Sequence, residues 1–371
     1  MHAHSPSSPS GSGRAGARLP ELEGFRALAV LSVMAFHYLQ RFADYYPYGG
    51  QLLPPARYGW LGVYLFFIIS GFVIALTLYQ TRSLVDFVLR RIARLLPAML
   101  LCALLTFLLM RLIDTPFTLA HRPGPEAFLP SLSFTDPWLW QRLLPGVTYV
   151  DGAYWSLFVE VRFYFWAGLV YFLARRRLFL PVFMTGALAV SALYPVMPAT
   201  PLKMVCHLLF FPEYLALFCT GMLAHALFSG TRHGAAIVGF VIFAGLSIWS
   251  VHADGAVTML AMAGIVLLFV ALICRRAWLA ALTHPALTLI GACSYSLYLI
   301  HQYLGVALIT LLPQGRSLPF YAAAVALIAG LVLALAFLIF RVVEQPVQMR
   351  ARAWIARSSD RFRRAEPVPQ A

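Results

Sequence analysis

Charged residues are scarce in this sequence, and their scarcity excludes most classes of soluble protein. Only 11% of the 371 residues are Asp, Glu, Lys or Arg, whereas 61% are apolar and the mean hydropathy is +0.78. Soluble domains carry about a quarter charged residues and just under half apolar ones. We therefore expect lipid, rather than water, to surround most of the chain.

Cysteine pairs and the common catalytic motifs are also absent. The five cysteines form no CxxC and no metal-ligand spacing, which excludes a disulfide scaffold and a zinc finger. The sequence contains no GxxxxGKS/T, HExxH or GxSxG, and no GxGxxG on a predicted strand. ATP hydrolysis, zinc-dependent hydrolysis and serine esterase chemistry are therefore unsupported, and we predict no metal site.

The apolar residues form about ten continuous runs, each near the roughly 20 residues that cross a bilayer as a helix. Because the runs do not alternate with polar residues, a membrane β-barrel is excluded. The sequence predicts an all-α, polytopic integral membrane helix bundle. The predicted spans are 24–42, 58–79, 92–113, 154–174, 178–196, 205–228, 235–251, 256–274, 286–311 and 319–343.

Basic residues follow the rule that cytoplasmic loops carry most of the Lys and Arg. With the N-terminus inside, twenty lie on the inner side and seven on the outer side, with Arg162 within a span. We expect both termini to be cytoplasmic in an inner (plasma) membrane protein. The predicted parts are a flexible tail at 1–19, a membrane domain at 20–346 and a basic tail at 347–371. The basic excess is explained by topology, so no nucleic acid partner is predicted.

Ionisable side chains within spans are costly and therefore mark functional candidates. In the first span Arg26 and His37 are eleven residues apart, roughly 16 Å along a helix and within about 20° of the same face. We interpret His37 as a catalytic candidate near mid-bilayer. The alternative is a core histidine with a purely structural role.

The fourth span carries a carboxylate at a comparable depth. Glu160 lies about six residues into the span, roughly 9 Å from its outer end. Such a carboxylate can orient an imidazole base, so Glu160 is predicted to act with His37. Pairing of Glu160 with an intramembrane arginine such as Arg162 is the alternative. Ser156 shares the face of Glu160 at i, i+4.

An arginine cluster follows the second span and faces the predicted cytoplasmic side. Arg90, Arg91 and Arg94, with Arg82 nearby, could receive a polyanion, because guanidinium groups fit phosphate oxygens. Anchoring of helix ends explains the cluster almost as well. The ninth span carries Ser294, Tyr298 and His301 on one face, and His301 could contact either an acceptor or a neighbouring helix.

Six segments, in order along the chain, resemble the membrane-bound acyltransferase family 3. This family includes O-acetyltransferases of bacterial surface polysaccharides, lipopolysaccharide and peptidoglycan. One departure is Arg162, where an acidic or amide side chain is more usual. The segments are Arg26 with His37, Gly62–Phe72, Arg90–Pro97, Trp155–Tyr164, Ser294–His301 and Glu344–Pro346.

The resemblance implies transfer of an acyl group, commonly acetyl from acetyl-CoA, to a hydroxyl of a glycan or glycolipid acceptor. It implies an essential His37, which acts as a general base or carries the acyl group, with Glu160 in support. We predict that acyl-CoA binds Arg26 and the arginine cluster, and that the acceptor contacts Trp155, Ser156, Tyr298 and His301. The alternatives are acylation of a macrolide or another small molecule or lipid and, more remotely, secondary transport.

Overall fold

The computed structural model describes residues 19–174, 176–231 and 234–365. Within these ranges the chain is helical with no β-strand, which confirms the all-α prediction. The α-helices are α1 (Pro20–Phe36), α2 (Leu61–Gln80), α3 (Leu84–Leu112), α4 (Pro116–His121), α5 (Phe128–Ser133), α6 (Pro137–Gln141), α7 (Trp155–Leu173), α8 (Phe179–Leu193), α9 (Pro201–Phe210), α10 (Pro212–Phe228), α11 (Gly234–Trp249), α12 (Ala256–Cys274), α13 (Pro285–Ala292), α14 (Ser294–Ile309), α15 (Leu318–Ile339) and α16 (Gln345–Ala365).

Every predicted span coincides with helix, but two differ from a simple crossing. In the described part of the chain, eight helical stretches are long and apolar enough to span a bilayer. The ninth is the pair α13 and α14, which is bent by 72°, and α11 has only 16 residues. Large apolar side chains remain exposed on the outside of the bundle, as a lipid-facing surface requires. Examples are Leu104, Leu108, Leu260, Leu267, Leu327 and Leu331.

The bundle is tightly packed around α1, α2, α10 and α14. A Cβ added to Gly71 would meet the carbonyl of Phe218 on α10, and one added to Gly221 would meet the carbonyl of Ile68 on α2. Glycine therefore permits these two helices to approach closely, a common device in membrane interfaces. In α14, 13 of the 16 residues are buried, so this helix lies at the centre of the fold.

The long connection at 114–153 folds into the short helices α4, α5 and α6. It is tied to the bundle by Asp151, whose Oδ1 accepts from the backbone N–H of Ala153 and whose Oδ2 accepts from that of Tyr303 on α14. The connection therefore forms an ordered cover over one end of the bundle.

Nearly all of the predicted N-terminal tail and the last six residues of the predicted C-terminal tail fall outside the described residues. This holds for 1–18 and 366–371, and for Arg14, Arg18, Arg175 and Arg232 of the charge count. The basic segment predicted at 347–371 begins as helix, because a π-helical turn at Phe340–Glu344 leads directly into α16.

Candidate active site

His37 lies where the first span changes from α-helix to π-helix. The π turn comprises His37–Arg41, and the Nδ1 atom of His37 lies 3.0 Å from the carbonyl oxygen of Val33. The Tyr46 hydroxyl donates to the carbonyl of His37, and the Tyr48 hydroxyl donates to the next carbonyl. π turns within α-helices are frequent at functional sites. Here two buried tyrosines hold the backbone of the turn in place.

His301 contacts His37 directly. His301 is completely buried on α14, with its Nε2 3.0 Å from Nδ1 of His37 and its own Nδ1 2.8 Å from the carbonyl oxygen of Tyr298. A carbonyl only accepts, so His301 carries its proton on Nδ1 and its Nε2 accepts the Nδ1–H of His37. In the neutral pair, the Nε2 atom of His37 is left with a free lone pair. His37 is partly exposed, and its Nε2 has no hydrogen-bond partner among the described residues.

Aromatic side chains border His37 on the side of the long connection. The Phe42 ring stacks with His37 at 6.2 Å between centroids and meets His121 of α4 at 5.7 Å. His121 also lies 4.5 Å from Phe117 and 5.8 Å from Tyr303. The connection therefore reaches the neighbourhood of the catalytic candidate.

A small cavity with several polar side chains in its lining lies next to Tyr298, a neighbour of His301. Its volume is about 50 Å³, enough for a few water molecules but not for a nucleotide. Helices α1, α2, α3, α7 and α14 line it, and its polar side chains include Arg26, Ser70, Arg94, Ser156, Glu160 and Tyr298. The Tyr298 ring lies 5.3 Å from that of His301, so this tyrosine connects the cavity to the histidine pair.

Glu160 is part of the cavity rather than a partner of His37. Its Oε1 accepts hydrogen bonds from the hydroxyls of Ser70 and Tyr164. These are the hydrogen bonds of Glu160 within the described ranges, and none joins it to His37. Arg162, the alternative partner, instead places its guanidinium 5.5 Å from the Phe211 ring.

The residues predicted to contact the acceptor lie in different parts of the structure. The Ser156 hydroxyl lies 2.7 Å from that of Tyr298, and both line the cavity. Trp155 packs instead against Phe67 and Tyr214, at 6.2 and 5.4 Å between ring centroids. His301 is completely enclosed, so its contact is with His37 rather than with bulk solvent.

The predicted donor arginines occupy different environments. Arg26 pairs with Glu23 at 3.0 Å and, like Arg94, lines the cavity. Arg90 instead forms a partly exposed ion pair with Asp86 at 2.7 Å and does not line the cavity.

Arg91 is buried beside the cavity. Its Nη2 donates to Thr77 at 2.7 Å, and its guanidinium lies 5.1 Å from the Tyr164 ring. Its Nε and Nη1 have no hydrogen-bond partner in the described part of the chain. Arg91 therefore has donors available for an anion, if the helices move apart. Among the described residues, no group of three or more His, Cys, Asp or Glu side chains could hold a metal ion.

Several residues of the site were assigned no role from the sequence. Ser70 and Tyr164 lie within segments of the family resemblance, and that position was the available signal for them. Tyr46 and Tyr48 follow the first span in a loop and carried no signal. Glu344 is buried and accepts from Ser296 at 2.7 Å, which joins the last span to α14.

Comparison with known proteins points to one family. A family model described as an acyltransferase domain, Acyl_transf_3, matches residues 19–340. The acyltransferase MdmB of Streptomyces mycarofaciens is 34% identical over 167 residues, 43% of this chain and 41% of MdmB. The O-acetyltransferase OatA of Staphylococcus aureus is 38% identical over 100 residues, 25% of this chain and 14% of OatA.

A third relative is YrhL of Bacillus subtilis, provisionally named as a peptidoglycan O-acetyltransferase. It is 31% identical over 160 residues, 39% of this chain and 22% of YrhL. The chain thus spans less than half the length of these curated relatives. No solved structure matches the chain significantly.

Proposed function

The chain belongs to the Acyl_transf_3 acyltransferase family, and from this premise we propose that it is a membrane O-acetyltransferase. The proposed donor is cytosolic acetyl-CoA, and the proposed acceptor is a hydroxyl of an extracytoplasmic glycan such as surface polysaccharide or lipopolysaccharide. The observation that carries the proposal is the His37–His301 pair, joined through Tyr298 to a cavity that holds two arginines.

The donor side of the proposal rests on Arg26 and Arg94. Both side chains line the cavity, and Arg26 lies in the first half of α1, before His37. A nucleotide polyanion that binds there would direct its thioester along α1 toward His37, eleven residues or roughly 16 Å further along the helix. Because the cavity is small in this conformation, donor binding must widen it.

The chemical step uses the free Nε2 atom of His37. This atom takes the proton of the acceptor hydroxyl, and the oxygen attacks the carbonyl carbon of the thioester. The C–S bond breaks, and the CoA sulfur takes the proton back from His37. The products are the ester and free CoA thiol, so atoms and charge balance. His301 is a positioning residue, because it holds the Nδ1–H tautomer and leaves Nε2 free.

Glu160 acts beside the donor in this scheme. Its hydrogen bonds from Ser70 and Tyr164 hold a carboxylate in the same cavity as Arg26 and Arg94. Because Arg26 is already paired with Glu23, the Glu160 carboxylate offsets the charge of Arg94 when no donor is bound. We therefore propose that Glu160 organises the donor cavity rather than orienting His37.

The acceptor side of the proposal rests on the aromatic border of His37 and on the relatives' names. OatA is an O-acetyltransferase, and YrhL is provisionally assigned to peptidoglycan, which is a glycan. Acylation of a small molecule or lipid is the second candidate, because MdmB is named only as an acyltransferase. In both cases the acceptor reaches His37 from the outer face of an inner membrane, with both termini cytoplasmic.

Labelled acetyl-CoA tests the proposal. Membranes containing the full chain should transfer label to a glycan fraction, and mass spectrometry of surface glycans should show acetyl esters that a deletion strain lacks. Label in a small lipid-soluble product would favour the second candidate. Membranes that transfer no label to any acceptor would contradict acyl transfer and leave transport as the explanation.

A further inference from the structure

A second cavity, much larger than the first, lies between α2, α8, α10 and α11. Its volume is about 710 Å³, within the ~300–1,000 Å³ typical of ligand pockets. It adjoins the end of α2, the start of α8, the end of α10 and the start of α11. Because successive spans reverse direction, these four ends lie on the side of the bundle where α1 begins. The proposed acyl transfer makes no use of this cavity.

The inner surface of this cavity is mainly apolar. Ala226, Ala236 and Gly239 form a surface of small side chains, and a Cβ at Gly239 would make only ordinary contacts with Leu223. Leu180 and Met184 of α8 form one wall. Such a lining fits a hydrocarbon chain rather than a polar metabolite.

The rim of the cavity is basic. Arg176 and Arg177 are both exposed there, and neither forms an ion pair within the described residues. The described lining contains no Asp or Glu. His225 and Ser229 add polar atoms, with Nε2 of the histidine 3.3 Å from the serine hydroxyl. The charge of the rim is therefore complementary to a phosphate group.

We propose that this cavity binds one anionic phospholipid of the surrounding leaflet. The phosphate of the headgroup contacts Arg176 and Arg177, and one acyl chain lies between α8 and α10. Basic pockets between membrane helices on the cytoplasmic side are suited to anionic headgroups, and guanidinium groups bind phosphate strongly. A zwitterionic lipid offers the same hydrocarbon but a weaker electrostatic attraction.

The same cavity is poorly placed for the acyl-CoA donor. Helix α2 separates it from the site: Ser70 and Val73 line the small cavity, whereas Leu76 and Tyr79 line the large one. The ring of Phe72, also on α2, packs against that of His225 with 5.1 Å between their centroids. Helix α2 would therefore stand between a thioester bound in the large cavity and the small cavity.

Lipid binding to the purified full chain tests the proposal. Phosphatidylglycerol and phosphatidylcholine are titrated separately in detergent, and bound lipid is counted by native mass spectrometry. We expect tighter binding of phosphatidylglycerol. The double variant Arg176→Gln/Arg177→Gln should weaken its binding about 30-fold and leave phosphatidylcholine nearly unaffected. The matched control is Arg341→Gln/Arg350→Gln, two exposed arginines away from the cavity, which should change neither affinity.

A steric variant keeps the test informative if the charge variant folds poorly. Ala235 is exposed in the cavity, so Ala235→Trp should fill it and weaken both lipids, whereas Ala322→Trp on the exposed face of α15 should not. Equal affinities for the two lipids, unchanged by the arginine substitutions, would overturn the proposal. Displacement of phosphatidylglycerol by acetyl-CoA would also overturn it. Because binding is measured without acyl transfer, failure here is distinct from failure of the proposed function.

Discussion

Replacing His301 tests how the site holds His37 ready for catalysis. In the variant His301→Leu, His37 loses the acceptor 3.0 Å from its Nδ1, but the Val33 carbonyl at 3.0 Å still holds the same proton. The loss is therefore one neutral hydrogen bond, about 0.5–1.5 kcal/mol, which lowers kcat roughly 2- to 10-fold. The KM for acetyl-CoA should stay unchanged, because His301 does not line the donor cavity.

The assay is initial-rate acetyl transfer in membranes at varied donor and acceptor concentrations. His301→Gln offers an amide oxygen as a substitute acceptor and should recover part of the rate. His207→Leu, at a half-exposed position in α9, should behave as wild type. If His301→Leu is as inactive as His37→Ala, then His301 takes part in the chemical step and the positioning argument is wrong. A change in the KM for acetyl-CoA with an unchanged kcat would also refute the positioning argument.

Three further predictions follow from the same structure. Arg94→Gln should raise the KM for acetyl-CoA at least ~10-fold without a matching change for the acceptor, because this arginine lines the proposed donor cavity. Arg90→Gln should have little effect, because Arg90 is outside that cavity and its partly exposed ion pair with Asp86 contributes only ~0–1 kcal/mol. Equal increases for the two arginines would contradict this division. Tyr46→Phe removes the hydroxyl that donates to the carbonyl of His37. The free energy of unfolding should fall by about 1–3 kcal/mol, and kcat should fall with it. Unchanged Tm and kcat would show that the tyrosine does not hold the π turn. Burial raises the pKa of the Asp151 carboxyl from 3.8 to about 7, so its ionisation opposes folding. Tm in detergent should therefore fall as the pH rises from about 4 to 7, with a smaller dependence in Asp151→Asn. The same slope in both proteins would contradict this assignment.

The helical fold could be predicted because bilayer thickness and hydropathy are one-dimensional properties of the chain. Each apolar run coincides with helix, and the placement of Arg26 and His37 on one span follows from hydropathy alone. The bend between α13 and α14 and the short length of α11 depend on neighbouring helices. A hydropathy profile does not contain that packing.

The contacts within the site could not be predicted from the sequence for the same reason. His37 and His301 are separated by 264 residues, and Ser70 and Glu160 by 90. Depth in the membrane placed Glu160 near His37, but depth does not fix rotation about a helix axis. The structure turns Glu160 toward Ser70 and Tyr164, so this carboxylate lines the small cavity and does not contact His37.

Sealed inverted membrane vesicles offer the most direct test of the central claim, that His37 accepts the proton of an alcohol while the thioester arrives from the opposite side. Labelled acetyl-CoA is added outside, and acetylated glycan is measured inside. We expect vesicles with the unchanged chain, or with the exposed control His252→Ala, to accumulate label, and vesicles with His37→Ala to bind acetyl-CoA normally but form no ester. Near-normal ester formation by His37→Ala would contradict the account.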